Sequence, residues 1–403
     1  MADKTEAKQH LLFLDGLRGM AALFVVMHHT VLQFYDLDFH GLTGIRKALV
    51  RFLWEGHLAV DLFIVLSGFC LMLPVISADY RLKGGTFRFY KKRAVRILPP
   101  YYFTNVLCLL LIAFWVGNKT GTHWDISIPV TYKDVMLHLL LVHDFLLNHT
   151  ARINHVMWSV SVEFRIYLFF PLLVWLYRKY AAGSTLLFAI LVAAAGFFIL
   201  YLLHKVIPDV NMLTSGVSPY IILFTFGMLA ADFSFSPKQH HPTLRIVFPL
   251  VCVALLVLYI ALRRIFAISV AGSFSFMYIF TDLIFGLWCA FLLVNLSVYN
   301  KSGLFKGLFK FLEAKPIAFL GLFAFSIYLI HAPLLQGLTQ LLFKLNIQDR
   351  FTNMLILMFA GIPIIIALSY LFFLVCEKPF ISLSKAKKEK VASEPGLPRT
   401  ELT

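Results

Sequence analysis

The sequence predicts an all-α polytopic membrane protein with about ten transmembrane helices and with both termini in the cytoplasm. Hydrophobic residues make up 60% of the 403 residues and charged residues only 14%, whereas soluble domains contain about 45–50% apolar and about 25% charged residues. The mean hydropathy is +0.81, as expected for helices that present apolar side chains to lipid. The helix count comes from long apolar stretches, and the orientation comes from the placement of lysine and arginine.

Each predicted span approaches the roughly 20 apolar residues that a helix needs to cross the hydrocarbon core. No small-residue cleavage site follows the first span, so it is expected to stay as a helix rather than be removed as a signal peptide. An eleventh apolar run, 133–147, is short and contains His138, His143 and Asp144, which indicates an interfacial or re-entrant segment. The ten spans are 11–33, 55–77, 97–117, 158–177, 184–204, 216–232, 244–262, 273–297, 317–341 and 354–377.

Lysine and arginine are distributed unequally between the two sides of these spans. With the N-terminus inside, the cytoplasmic loops and tails hold roughly twice as many as the opposite side, which is the positive-inside pattern. The net charge of +15 is then explained by cytoplasm and anionic lipid, and nucleic-acid binding is not predicted because there is no soluble basic surface. Three regions follow: a cytoplasmic tail at 1–10, a membrane domain at 11–377 and a basic, disordered cytoplasmic tail at 378–403.

The first span contains two ionisable residues, Arg18 and His29. Eleven residues correspond to about three helical turns, so both side chains leave nearly the same face and lie roughly 16 Å apart along the axis. An ionisable side chain at membrane depth costs at least a few kcal/mol, which makes it a functional candidate. The pair predicts an anionic carrier at Arg18 and proton-dependent chemistry at His29. His28 lies about 100° further around the helix and is the weaker candidate.

A basic cluster precedes the third span, with Arg88, Lys92, Arg93 and Arg96 on one helix face. One interpretation is a positive-inside anchor that fixes the topology. The other is a phosphate site, because guanidinium groups bind phosphate bidentately and a phosphorylated carrier such as coenzyme A would arrive from the cytoplasm.

Glu163 and Tyr167 lie one turn apart at the start of the fourth span and face together. A buried carboxylate here is able to orient a histidine and to stabilise its charged form, or it pairs with Arg165 or Arg18 for packing alone. The dispersed cysteines predict neither disulfides nor a metal site. The histidines in loops or at span ends are weaker candidates than His331, and they are His57, His123, His155, His240 and His241. Further polar candidates within apolar runs are Asp61, Ser67, Trp158, Ser159, Tyr328 and His331, while Gly16, Gly19 and Gly68 are predicted to permit close helix approach.

Five motifs occur in a fixed order along the chain. They are Asp15-Gly-Leu-Arg18-Gly followed by His29, Val60-Asp61-Leu-Phe-Ile-Val-Leu-Ser67-Gly68, Arg96-Ile-Leu-Pro99, Trp158-Ser-Val-Ser-Val-Glu163, and Ser326-Ile-Tyr328-Leu-Ile-His331. This order resembles the acyltransferase-3 family of integral-membrane O-acyltransferases over residues 11 to about 380. The one departure is Ile64 in place of a common Phe, which is an apolar exchange.

The resemblance implies transfer of an acyl group, most often acetyl, from cytoplasmic acyl-coenzyme A to a hydroxyl group of a carbohydrate or glycoconjugate. Acyl-coenzyme A is a co-substrate and no cofactor is bound. The expected location is the cell membrane, as a multi-pass protein of a bacterial inner or plasma membrane. Some relatives carry an extracytoplasmic hydrolase-like domain that this sequence lacks, so a separate partner, or none, is implied.

The resemblance also implies roles for individual residues. His29 would act as the base, or as a nucleophile that forms an acyl-histidine. Arg18 and Glu163 complete the expected catalytic set, and Arg88, Arg93 and Arg96 would bind the donor. Substrate or support roles fall to Asp61, Ser67, Trp158, Ser159, Tyr167, Tyr328 and His331, and no metal ligand is expected.

Two alternative classes remain open from the sequence. A proton-coupled secondary transporter also places ionisable residues at membrane depth, but it predicts internal repeats and paired broken helices, and no repeat is visible. A glycerolipid-type acyltransferase is suggested by the His-x4-Asp spacing of His10 and Asp15. That pair lies at the membrane edge without a soluble catalytic domain, so chance explains it better.

Overall fold

The protein is an assembly of α-helices, as predicted. The computed structural model describes residues 11–35, 41–212, 219–236, 244–269, 276–298 and 304–382. Within these ranges there is no strand, and the β-pairing consists of one isolated bridge between Leu146 and Val210. The helices are α1 (Leu12–Leu32), α2 (Gly44–Leu53), α3 (His57–Ile76), α4 (Gly85–Leu111), α5 (Tyr132–Leu139), α6 (Leu147–Thr150), α7 (Trp158–Val206), α8 (Tyr220–Phe235), α9 (Leu244–Ser269), α10 (Phe276–Val298), α11 (Lys306–Leu312), α12 (Lys315–Leu322), α13 (Ala324–Phe343), α14 (Arg350–Ile356) and α15 (Ile362–Phe372).

Six helical segments of the described chain are long and apolar enough to cross a membrane, which fits a membrane protein. A seventh is added if α12 and α13, which are bent by 77° at their junction, count as one span. The predicted count of about ten is therefore not confirmed, and the orientation of the termini stays a prediction. The six segments are Gly44–Ile76, Gly85–Val116, Trp158–Val206, Ile246–Ile265, Ile279–Val298 and Arg350–Ser382.

The difference in count has local physical reasons. α1 has 21 residues, but Asp15, Arg18, His28 and His29 lower its hydropathy. α8 has only 16 residues, short of the roughly 20 that a span needs. α7 has 49 residues and contains two of the predicted spans, but Ala181 adopts φ 70°, ψ −177° and breaks it. Unbroken, it would be about 74 Å long, more than twice the roughly 30 Å hydrocarbon core.

Several predicted boundaries fall at the edge of the described chain. The predicted N-terminal tail, most of the C-terminal tail and the start of the span 216–232 lie outside the described residues. The last helical segment continues to Ser382, past the predicted boundary at 377. The run 133–147 forms only α5 and a 3-10 turn at His143–Phe145, too short to span, as its length predicts.

Small residues bring helices together at backbone distance, as predicted for Gly16, Gly19 and Gly68. A Cβ on Gly68 would lie 1.9 Å from the Phe224 carbonyl oxygen of α8, and one on Gly227 would lie 1.9 Å from the Val65 carbonyl oxygen of α3. α1 meets α11 and α12 in the same way, because a Cβ on Gly16 would lie 2.1 Å from the Leu312 carbonyl oxygen. These contacts fix α1, which carries Arg18 and His29, and α3, which carries Asp61 and Ser67.

Replacing Gly227 with alanine is expected to lower the apparent melting temperature in detergent, because α3 and α8 must separate to admit the methyl group. Overpacking of this kind costs about 1–3 kcal/mol. Gly337→Ala is the matched control, since a Cβ there meets no atom within 4 Å and alanine favours the helix. Equal melting temperatures for the two variants would contradict the close α3–α8 contact.

Candidate active site

A cavity of about 270 Å³ lies among α1, α3, α4, α7 and the bend between α12 and α13. Three guanidinium groups line it, from Arg18 on α1 and from Arg93 and Arg96 on α4. Glu163 and Glu377 contribute carboxyl groups. The Arg93 Nε atom is buried and has no hydrogen-bond partner among the described residues. The cavity therefore offers a cationic surface with an unsatisfied donor, which suits an anionic ligand.

Arg18 and His29 lie on one continuous helix, as their spacing predicts, but in different surroundings. Arg18 lines the cavity and donates to Asp15 of its own helix at 3.1 Å. The Arg18 side chain is 28% exposed and that of Asp15 only 8%, so the cation faces the cavity while its counter-ion lies behind it.

Glu163 belongs to a polar network on the cavity wall. The Tyr167 hydroxyl donates to the Glu163 carboxylate, so the two residues face together as their spacing predicts. The same hydroxyl lies 2.5 Å from Ser67 Oγ of α3, and the Arg93 guanidinium lies 5.9 Å from the centre of the Tyr167 ring. Arg165, an alternative partner for Glu163 in the sequence, contacts Asp144 instead.

His29 lies in a cluster of histidines. Its Nδ1 is 3.3 Å from Nε2 of His155, which precedes α7. Its ring centre is 5.0 Å from that of His331 on α13 and 6.3 Å from that of His123. His28 is adjacent at 4.9 Å, but its Nδ1 donates to the Leu53 carbonyl at 3.0 Å. His28 is thus held by the backbone and differs from His29 in its partner.

Two other ring nitrogens of this cluster have hydrogen-bond partners. His155 Nδ1 lies 3.1 Å from Ser127 Oγ, and His331 Nδ1 donates to the Tyr328 carbonyl at 2.8 Å. His155 lies outside the spanning helices, where burial lowers its pKa well below the ordinary value and the nearby His123 lowers it further. His155 is therefore neutral near pH 7 and is able to accept a hydrogen bond at one nitrogen while it donates at the other.

Tyr328 connects the cavity with the histidine cluster. It lines the cavity, and its ring centre is 5.9 Å from that of His331, one turn further along α13. Its hydroxyl donates to the Val156 carbonyl at 2.9 Å and lies 2.5 Å from Ser159 Oγ. Ser159 also lines the cavity, so the start of α7 and the middle of α13 form the wall between the two parts of the site.

Three residues singled out in the sequence lie apart from this centre. Asp61 is buried on α3, close enough to Asp282 of α10 for the two carboxyl groups to interact. The Trp158 ring packs 5.8 Å from that of Tyr220. Arg88 is exposed, packs against Gly84 and is not among the cavity residues. His10 lies outside the described residues.

Sequence reasoning missed three residues of the site. His123 and His155 belong to the long connection between α4 and α7, where no helical period shows which side chains reach the membrane domain. Glu377 was placed at the end of a span, and the structure buries it in the cavity wall, where it accepts from Ser326 at 2.6 Å. A carboxylate at the end of an apolar segment is the signal that could have indicated it.

The described helices place an arginine-lined cavity next to a cluster of histidines in a helical membrane protein. The chain matches the family model described as an acyltransferase domain over residues 11–374. The protein therefore belongs to the acyltransferase-3 family, which confirms the resemblance seen in the motifs. Membership of this family favours an enzyme over the transporter that the sequence left open.

Individual relatives support this assignment. The chain is similar to the acyltransferase MdmB of Streptomyces mycarofaciens, with 33% identity over 171 residues, 41% of this chain and 40% of MdmB. It is similar to the O-acetyltransferase OatA of Staphylococcus aureus, with 23% identity over 340 residues, 83% of this chain and 52% of OatA. The chain thus spans about half the length of the curated relatives it matches. No solved structure matches it.

Proposed function

We propose that the protein is a multi-pass O-acyltransferase of the cell membrane that transfers an acyl group from cytoplasmic acyl-coenzyme A to a carbohydrate or glycoconjugate hydroxyl. The observation that carries the proposal is the contact between the arginine-lined cavity and the histidine cluster through Tyr328 and His331. Acetyl is the proposed acyl group, because OatA, which aligns with 83% of the chain, is named an O-acetyltransferase.

The cavity is the proposed donor site. Arg18, Arg93 and Arg96 would bind the phosphate groups of coenzyme A, since guanidinium groups make short, charge-assisted hydrogen bonds to phosphate oxygens. Glu163 and Tyr167 would hold the Arg93 guanidinium at the wall. In this proposal Glu163 acts at the donor end, because its described contact is with Tyr167, whereas that of His29 is with His155.

The proposed reaction is direct transfer with His29 as the general base. His29 would donate its Nδ1 proton to His155 Nε2, and His155 would donate its own Nδ1 proton to Ser127 Oγ. Nε2 of His29 is then free to accept the proton of the acceptor hydroxyl. The hydroxyl oxygen bonds to the thioester carbon, the carbon–sulfur bond breaks, and the departing thiolate takes the proton from His29. An acyl-histidine intermediate is the alternative, with His29 as nucleophile.

Purified protein in lipid vesicles tests this function. Acetyl-coenzyme A is supplied with a panel of carbohydrate acceptors, and the release of free thiol is followed. We expect release that requires both protein and an acceptor hydroxyl. An acetylated protein that accumulates without acceptor would support the acyl-histidine alternative, and folded protein that releases no thiol with any acceptor would contradict the proposal.

A further inference from the structure

The histidine cluster has the geometry of a metal site as well as that of a base. One ring nitrogen from each of His29, His123 and His155 lies within 4.8 Å of the other two. The closest pair, His29 Nδ1 and His155 Nε2, is 3.3 Å apart. In a tetrahedral zinc site with Zn–N bonds of about 2.0–2.1 Å, ligand nitrogens lie about 3.4 Å apart. This pair already has the spacing of two zinc ligands.

The rings are oriented in the manner of metal ligands. A histidine that binds a metal donates its other ring N–H to a nearby oxygen, which fixes the tautomer. His155 Nδ1 lies 3.1 Å from Ser127 Oγ, while the other ring nitrogen, Nε2, faces His29. His331 Nδ1 donates to the Tyr328 carbonyl at 2.8 Å, and its Nε2 is buried without a hydrogen-bond partner in the described structure. The His331 ring centre is 5.0 Å from that of His29, so a fourth imidazole lies next to the group.

The donor set selects the class of metal. The three grouped ligands are all imidazoles. Imidazole suits zinc, copper, iron and nickel, whereas magnesium and calcium require oxygen ligands. His29 and His123 are half-buried rather than enclosed, which leaves an entry path for an ion. These features favour a transition-metal ion over magnesium, calcium or a monovalent cation.

We propose that His29, His123 and His155 bind a divalent transition metal, with Zn²⁺ as the matching ion, and that the bound metal inhibits acyl transfer. Metal binding requires the lone pairs of neutral imidazoles. A bound ion therefore takes a ring nitrogen of His29 and breaks its contact with His155. The inhibition rests on the proposed function, because it requires His29 to be the base; the metal site itself does not.

The binding test uses chelator-treated full-length protein in detergent and ZnCl₂ alone, titrated against a chromophoric zinc indicator. We expect one tight Zn²⁺ per chain and a rise in apparent melting temperature with added Zn²⁺, because an ion that binds only the folded state stabilises it. His123→Gln should weaken the affinity at least tenfold. His204→Ala, whose ring bonds the Val210 carbonyl away from the cluster, should leave it unchanged. Absence of stoichiometric binding in the wild type, or equal loss in the two variants, would overturn the metal site.

The inhibition test uses thiol release under the same conditions. We expect Zn²⁺ to suppress turnover in the wild type. His123→Gln should require at least tenfold more Zn²⁺ for half-inhibition, measured relative to its own metal-free rate. Turnover that persists with Zn²⁺ bound, or that is lost when the chelator removes the metal, would overturn inhibition. Failure of thiol release both with and without Zn²⁺, in protein that still binds the ion, would count against the proposed function and leave the metal site standing.

Discussion

Replacing His29 with asparagine is expected to lower acceptor-dependent thiol release by at least about a hundredfold, since a positioned general base contributes roughly 10²–10⁴ to a rate. The asparagine amide is able to replace the N–H that His29 is proposed to donate to His155, but it has no second nitrogen that accepts a proton. The loss should therefore appear in kcat, with little change in the KM for acetyl-coenzyme A. Steady-state thiol release in vesicles measures both.

His28→Asn is the matched control for this variant. His28 is the neighbouring imidazole, and its Nδ1 donates to the Leu53 carbonyl at 3.0 Å, a bond that an amide nitrogen also makes. We expect its turnover to stay within a few-fold of the wild type. Comparable turnover in His29→Asn and in the wild type would rule out His29 as base and as nucleophile. A large loss in His28→Asn alone would assign the role to His28.

The parts of the site that the sequence predicted depend on local geometry. Arg18 and His29 share a helix, and Glu163 and Tyr167 share a helical turn, so period and spacing were sufficient to relate each pair. The close approach at Gly68 was likewise visible as a small residue in an apolar run. The all-α class followed from composition, which is a property of the whole chain.

The remainder depends on long-range contacts that no local pattern contains. His155 meets His29 across 126 positions of sequence, and Ser67 meets Tyr167 across 100. Glu163 illustrates the consequence, because the sequence left open whether its carboxylate orients His29 or pairs with an arginine. A carboxylate within an apolar segment is able to orient a histidine on any neighbouring helix. In the structure, α7 packs against α3 and α4, and Glu163 lines the cavity together with the arginines. The span count differs for another reason, because the polar residues Asp15, Arg18, His28 and His29 lower the hydropathy of α1.

Replacing both Arg93 and Arg96 with glutamine is expected to raise the KM for acetyl-coenzyme A at least tenfold with a smaller change in kcat. A hydrogen bond to a charged group contributes about 1.5–3 kcal/mol, which corresponds to roughly a 10- to 150-fold change in affinity. The two side chains line the cavity from α4, so the loss should affect donor binding rather than the proton transfer at His29. Initial rates over a range of donor concentrations separate the two parameters.

Arg88→Gln is the control, because Arg88 belongs to the same basic cluster but packs against Gly84 outside the cavity. An unchanged KM in Arg88→Gln and a raised one in the double variant would locate the donor in the cavity.

Cys70 provides an independent readout, since it lines the cavity within electrostatic range of all three arginines. Cys376 is the other half-buried cysteine, so in a Cys376→Ala background coenzyme A should slow maleimide labelling of Cys70, and the arginine substitutions should remove that protection. Equal labelling with and without coenzyme A would place the donor elsewhere.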